Sequence, residues 1–555
     1  DSVRGATGSI TKKLFSDNSN AENSGQTDSA NGVKILPNGI QLTTNNDGTN
    51  DNNEYVAWCW KGGSPETPTN GSVHFDRDGD YLSLSSTSDF DFGTGDFTIE
   101  CYFRSDSFTG GNHPYLFDFR TTGGAEAGRP AIYIDGGQGK ITFWVAGADR
   151  VLSNGAPILG KWTHLAMVRS SGTTKMYVDG VAQSSTYTDS TDYGDGGSKL
   201  LIGIRRDSGN VVNSQSFDGE ISNVRIVKGT AVYTSNFTPS TTPLTNVTNT
   251  KLLCCQSTAS VTTSAVSPGT ISTGGNSSVS SSNPFDTYSI DGVGYATASA
   301  AGITEGSIPI TGASINKTSR FSIVSYNGNS TDGATVGHGL DVEPSFVIIK
   351  SRNLGTVGSA GAHWSVSHKN LAGGLNGGNS AKKVYLSLSN AESSNNHGAI
   401  SAASSTTVTF KDGSGNSDDA HVNNSSGTYI MYSWAEVPGY SKFGSYKGNG
   451  NANGPFVECG FRPSLVIYKR ITNTDDWGMH DSARDPYNPV KRFLYPNLSN
   501  AEWSAGTQDY FEFYSTGFKL TQSSSMTNGN GDSYIFMAWA EQPEVTPFGS
   551  QSNAR

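Results

Sequence analysis

The sequence predicts an all-β protein made of several packed modules. No tract keeps the helical period over three turns, whereas short alternating runs bounded by Gly, Asn and Asp occur throughout. A chain of 555 residues is also too long for one hydrophobic core, which sets an expectation of about two to four domains. Charged residues make up only 16% of it, against a usual fraction of about 25%, and 67 glycines with long Ser, Thr and Asn runs fill the space. Solvation through hydroxyls and amides suits a β-rich extracellular or particle-surface protein.

One long pattern is written more than once. Phe321 to Arg352 and Phe443 to Arg470 share Ser-Tyr-x-Gly-Asn, a glycine-rich turn, Pro-Ser, an apolar strand and a lysine. Tyr326 matches Tyr446, Pro344 matches Pro463, and Lys350 matches Lys469; Trp364 and Trp477 follow. Next come a basic pair (Lys382-Lys383, Lys491-Arg492), a strand, and the word Ser-Asn-Ala-Glu at 389–392 and 499–502. A strand with Tyr429 and Trp434, or Tyr534 and Trp539, closes each unit.

The N-terminus supplies only the back half of this unit. Asp1 to Arg4 matches Asp481 to Arg484, Lys12-Lys13 is the basic pair, the word stands at 19–22, and Tyr55 with Trp60 closes it. The expectation is a chain that begins in mid-unit, its front half supplied by preceding sequence, by another chain, or not at all. Ser followed three residues later by Glu is a capping box, which predicts one capped turn between two strands. A structural turn is the preferred reading of all three copies.

Different strands interrupt the repeat between Gly63 and Cys255. Phe97, Ile99, Cys101 and Phe103 alternate with Thr98, Glu100, Tyr102 and Arg104, and Asp179-Gly180 suits a type I′ hairpin turn. About a dozen such strands make a sandwich. The ordered motifs VHFDRDGDYLSLSS, DFTIECYFR, GKWTHLAMVR, KMYVDGV and FDGEISNVRIVKGTAVYTSNFTPSTTPL together resemble a laminin-G-like, concanavalin A-like jelly roll, in the version found in virion proteins of marine bacteriophages. The flanking units resemble the repeat domains that accompany that jelly roll in tail-fibre and other virion structural proteins.

The expected organisation is therefore a half unit at 1–62, the jelly roll at 63–255, a Ser/Thr/Gly-rich linker and lead-in at 256–318, repeat units at 319–437 and 438–548, and a tail at 549–555. The resemblance implies a virion-surface protein, assembled in the host cytoplasm, that attaches to a host-surface glycan as part of a tail fibre or other appendage. It implies a homo-oligomer, with a trimer as the expected state, and contacts to other virion proteins. The rival readings are a capsid decoration or fibre shaft without a ligand, and a polysaccharide depolymerase.

Several chemistries are argued against. A net charge of −11 with scattered Lys and Arg does not suit a nucleic acid, and no run has the length of a membrane-spanning helix. Five cysteines without CxxC spacing imply neither a disulfide framework nor a zinc site. His480, Asp481, Ser482 and Arg484 crowd together, but strand neighbours point to opposite faces, so a structural Asp–Arg pair is preferred to a catalytic relay. No Glu-x-Asp-x-Glu triplet is present to place glycosidase acids on one face. The protein is expected not to be an enzyme. For glycan contact the candidates are Trp144, Trp162 and Tyr133, with Phe143 and Trp144 on opposite faces of their strand. For calcium, which the laminin-G resemblance brings into view, they are the loop acids Asp76, Asp80, Asp118 and Asp135.

Overall fold

The structure is a computed structural model and describes residues 14–22, 33–36, 39–42, 55–63, 70–85, 88–108, 112–126, 128–194, 199–357, 360–393, 397–411, 421–504 and 510–541. Asp1 to Arg4, Lys12-Lys13 and the tail 549–555 lie outside the described residues. The protein is all-β: among the described residues, the only α-helix is the single turn Ser525–Asn528.

Two sheets make the sandwich. The larger runs Val181–Thr188, Thr173–Val178, Thr163–Ser170, Phe97–Ser105, Asp218–Lys228, Thr250–Cys254, Ser264–Val266, with Ser72–Asp76 pairing the start of Asp218–Lys228. The smaller runs Ile271–Gly274, Tyr81–Leu84, Leu201–Ile202, Tyr115–Asp118, Ala131–Ile134, Ile141–Val145, Ala148–Leu152. Phe97, Ile99, Cys101 and Phe103 all face the core between them, as their alternation demands. Asp179 and Gly180 both take positive φ, the condition for a type I′ turn.

The stretch 256–285 corrects the linker expectation. Ser264–Val266 and Ile271–Gly274 become edge strands of the two sheets, and Ser278–Ser280 pairs with Ser72–Asp76. Their Ser/Thr composition hid them, because an edge strand needs backbone partners more than apolar side chains; Ile271 alone reaches the core. Tyr288–Ile290, Val293–Tyr295 and Ile310–Asn316, in the expected lead-in, extend the main sheet of the second unit.

Each full repeat unit places its closing strand at the centre of a sheet. Thr428–Trp434 lies between Phe321–Asn327 and Phe346–Ser351, and Ser533–Trp539 lies between Ser441–Lys447 and Leu465–Arg470. A three-stranded sheet accompanies each. The matched tyrosines stack across strands, Tyr326 on Tyr429 at 5.2 Å and Tyr446 on Tyr534 at 4.9 Å.

The word Ser-Asn-Ala-Glu is not a capped turn. Residues 19–22 and 389–392 form no helical turn, and the glutamate N–H leaves its own unit. Glu22 N–H donates to Arg352 O at 2.5 Å, and Glu392 N–H donates to Ile471 O at 3.1 Å. Lys350 Nζ donates to Ser19 O at 3.0 Å, and Lys469 Nζ to Ser389 O at 3.3 Å. Trp364 Nε1 donates to Phe15 O at 2.8 Å, and Trp477 Nε1 to Tyr385 O at 2.9 Å. Each word is a plug for the next unit, and the same three hydrogen bonds serve both junctions. Both lysines are fully buried, and burial pulls each ammonium down to about 8.

The closing tryptophans of the three units meet. Trp60, Trp434 and Trp539 sit 6.1, 5.3 and 6.1 Å apart pairwise, at interplanar angles of 72°, 68° and 64°. Such edge-to-face packing sets the positive edge of one ring on the negative face of the next. Near-equal angles make the arrangement a three-bladed pinwheel. Trp434→Ala should therefore lower stability by about 3–5 kcal/mol, whereas Ala at Tyr487, 84% exposed, should stay within about 0.5 kcal/mol of the parent. Urea unfolding followed by tryptophan fluorescence measures both.

Candidate functional site

Strand parity decides which face of the smaller sheet carries which side chains. On Ile141–Val145, Ile141, Phe143 and Val145 are buried in the core, so Trp144 points outward. Tyr133 points outward from the neighbouring strand, whose Ile132 and Ile134 are in the core, and Tyr115 lies opposite Tyr133 in register. Ala131 lies opposite Trp144, which leaves room for the indole. The opposite orientation of Phe143 and Trp144 was legible from alternation alone.

Tyr115, Tyr133 and Trp144 form one aromatic row. Tyr115 and Tyr133 stack at 4.9 Å, and the Arg120 guanidinium lies 5.6 Å from the Tyr115 ring centre and 5.1 Å from that of Trp144. Tyr133 Oη donates to Asp149 Oδ1 at 2.6 Å. Burial and this hydrogen bond push the Tyr133 phenol up, so it stays a donor at neutral pH. The two tyrosines are each 6% exposed, while Trp144 is only half-buried.

Asp118 positions the guanidinium. Its Oδ1 accepts from Arg120 N and Nε at 3.0 and 2.9 Å, and its Oδ2 from Arg120 Nη2 at 2.7 Å and Arg206 N at 2.8 Å. With both oxygens so engaged and 0% exposure, Asp118 is a brace rather than a calcium ligand. Asp135 Oδ1 caps its own turn, accepting from Gly137 N and Gln138 N. Asp76 and Asp80 do come together: Asp76 N–H donates to Asp80 Oδ2 at 3.0 Å, and Asp80 Oδ1 accepts from Asn276 N at 2.6 Å. Among the described residues, no three His, Cys, Asp or Glu side chains converge as a metal would require. The four calcium candidates thus belong to three separate places.

Trp162 separates from the other aromatic candidates. It is 8% exposed in an apolar cluster with Tyr102, Leu244, Leu253 and Phe285, beyond the larger sheet. Segments distant in sequence fold over it, which no local pattern signals.

The same covering explains a buried charge cluster that the sequence reading missed. Glu100 accepts from Arg225 Nε at 2.8 Å and Tyr233 Oη at 2.9 Å, and lies 3.2 Å from His164 Nε2. It is 0% exposed. Burial works to raise its carboxyl, but the His164 hydrogen bond and the Arg225 charge outweigh that and hold it below the usual carboxylate range. Ser240 O takes the Tyr102 hydroxyl at 2.6 Å, and Thr245 O takes Arg225 Nη1 at 2.9 Å. A strap from Gly229 to Val247 is thereby fastened across the larger sheet, and the Trp144 face belongs to the other, smaller sheet.

Neither Glu220 on the larger sheet nor the acids Asp76, Asp80 and Asp481 form a catalytic pair. Glu220 is held by Arg104 in a two-pronged pair at 2.9 and 2.8 Å. Asp76 and Asp80 lie within hydrogen-bond contact of each other, closer than the roughly 5–9 Å that glycosidic hydrolysis needs. His480 is fully buried beside Tyr468, its imidazole lowered to about 3 by burial, so it stays neutral. Asp481 Oδ2 takes Arg484 Nε at 2.7 Å, while Ser482 Oγ meets Ser464 Oγ at 3.0 Å. The Asp–Arg pair is structural.

The sandwich and its outward aromatic row define a concanavalin A-like domain: residues 76–232 match the concanavalin A-like lectin/glucanases superfamily. A second family model, a domain of unknown function designated DUF7483, matches residues 1–93 and 229–543, well over half of the chain, and the protein belongs to that family. Similar solved structures include a heptameric SAP-like pentraxin from Limulus polyphemus, at 15% identity over 30% of this chain and 79% of that one, with a TM-score of 0.25. A protein from Bacteroides ovatus described as a putative carbohydrate binding protein matches at 14% identity over 45% of this chain and 65% of its own, TM-score 0.28. Domain 4 of an extracellular arabinanase from Geobacillus stearothermophilus, in complex with arabinotriose, matches at 17% over 29% and 72%, TM-score 0.24. The search of curated proteins finds no match.

Burial raises the Asp80 carboxyl from 3.8 to about 6. Between those values the folded protein holds a proton that the unfolded chain has released, so stability from this group falls as pH rises through the window. Asp80→Asn removes the titration. The melting temperature of the variant, relative to the parent, should rise between pH 4 and pH 7 in calorimetry.

Proposed function

We propose that the protein is a non-enzymatic part of a bacteriophage virion, a tail fibre or similar appendage, and that its sandwich holds a host-surface glycan on the Tyr115–Tyr133–Trp144 face. The half-open Trp144 ring carries this reading. A sugar offers an apolar C–H face edged with hydroxyls, and the indole matches the first while exposed Asp149 and half-exposed His113 supply polar partners at the rim. Asp118 and Arg120 make the surface rigid before any ligand arrives, which lowers the ordering cost of binding.

The lectin-type superfamily match supports a glycan as ligand. The pairing of Glu220 with Arg104 and of Asp481 with Arg484 supports binding without bond cleavage. Low charge and abundant hydroxyl and amide side chains suit a particle surface, where many copies of a homo-oligomer turn shallow contacts into firm attachment.

Purified protein on an array of bacterial envelope glycans should retain at least one of them. Trp144→Ala should weaken that interaction about tenfold, equivalent to about 1.4 kcal/mol, with the melting temperature unchanged. Failure of the parent protein to retain any glycan would sink the binding role, and new reducing ends would sink the non-enzymatic one. Gold labelling of intact particles should decorate tail appendages; a head or shaft position would exclude host attachment.

A further inference from the structure

The open indole has a carboxylate for a neighbour. Trp144 and Asp149 are partners in register across the hairpin of Ile141–Val145 and Ala148–Leu152, so the two side chains stand together on its outer face. Asp149 is exposed, and its Oδ1 accepts from Tyr133 Oη at 2.6 Å. That bond fixes the carboxylate beside the ring. Among the described residues no cation is paired with Asp149, and its Oδ2 has no hydrogen-bond donor.

The positive groups of this face are turned elsewhere. Arg120 is 2% exposed and gives Nε and Nη2 to Asp118, Nη1 to Gly124 O at 3.2 Å, and Nη2 also to Arg206 O at 3.3 Å. It lies against the indole with no donor to offer a ligand. Arg150, next in sequence to Asp149, reaches over the Tyr187 ring at 5.1 Å. Arg205, whose charge acts on Tyr115, is bonded to Gln215 at 3.1 Å and paired with Asp207 at 3.4 Å, and Arg206 follows it on the strand facing the other way. On the adjoining loop Glu126 and Arg129 pair with each other at 3.5 Å. Lys140 precedes Trp144 by four residues, about 14 Å of extended chain, which exceeds the roughly 8 Å reach of an exposed charge at physiological salt.

We infer that this face selects uncharged sugars and refuses acidic ones, and that Asp149 is the residue that decides it; the inference rests on the glycan-binding reading above. The sugar lays its C–H face on the free side of the Trp144 ring and donates a hydroxyl to Asp149 Oδ2. A hydroxyl on a carboxylate is a charge-assisted bond, stronger than one between neutral partners. A uronic, sialic or phosphorylated residue in the same place brings a second negative charge against an acceptor that has no proton to give and no cation to share. Discrimination thus comes from a repulsive element as well as an attractive one.

The test compares the parent protein with Asp149→Asn on neutral oligosaccharides and on oligosaccharides ending in a uronic acid. The parent should hold the neutral set at least tenfold more tightly. Asp149→Asn keeps the shape and can still accept from Tyr133, so it should melt as the parent does, weaken on neutral sugars and gain at least tenfold on the acidic ones. Added sodium chloride should leave the parent's hold on neutral sugars unchanged and narrow its discrimination, because salt screens the repulsion. Should the variant fail to fold, this salt series on the parent decides. A parent that prefers the acidic set, or discrimination untouched by salt and by Asp149→Asn, overturns the inference and leaves the glycan-binding reading standing. Retention of neither set, nor of any other envelope glycan, overturns both.

Discussion

Three indole rings packed edge to face hold distant parts of this chain together. Trp60, Trp434 and Trp539 come from segments far apart in sequence, and their contact brings the closing segments of three units together. With the units so placed, the words at 19–22 and 389–392 fall beside the next unit's front half. The lysines can then be fully buried, because carbonyl oxygens of the neighbouring unit replace water around the ammonium. Lys350 has two carbonyl acceptors, Ser19 O from the neighbouring unit and Ala362 O from its own. Removing a charged group from water costs several kcal/mol unless it is compensated, so a wrong neighbour would leave an unsolvated cation. That asymmetry makes the junction specific as well as cohesive.

The sandwich joins the repeat units where its two chain ends meet. Gly63 N–H donates to Ser314 Oγ and Gly63 O accepts from Gly292 N, while Asn283 Nδ2 donates to Asn70 O. The chain thus goes in and comes out at nearly the same place. A module whose ends lie together can sit inside another fold without disturbing its register. The edge strands at 264–280 then close the sandwich on the return path.

The two outer faces of the sandwich have been given opposite fates. The larger sheet carries Glu100, Arg225, Tyr102 and His164 on the side away from the core, and the strap seals them into a buried network of hydrogen bonds and ion pairs. Polar alternation there marks a second interface, not solvent. The smaller sheet leaves its aromatic row accessible through Trp144, stiffened from behind by Asp118 and Arg120. A buried ion pair supplies orientation, and an indole supplies area.

Legible in the amino-acid sequence were the β class, the repeat and its matched tyrosines, lysines and tryptophans, the shared face of Phe97, Ile99, Cys101 and Phe103, and the opposite facing of Phe143 and Trp144. All of these follow from period-two geometry or from repetition, which are local properties. Only the tertiary structure decided that Trp162 is buried while Trp144 is half-open, that Asp118 braces Arg120, that Ser/Thr-rich residues 264–280 are strands, and that Ser-Asn-Ala-Glu plugs a neighbour instead of capping a turn. Each of these depends on what another, distant segment brings to the same point: a covering loop, a guanidinium, a strand edge or a buried ammonium. A hydrogen-bonding group keeps the same letter whether its partner is three residues away or three hundred.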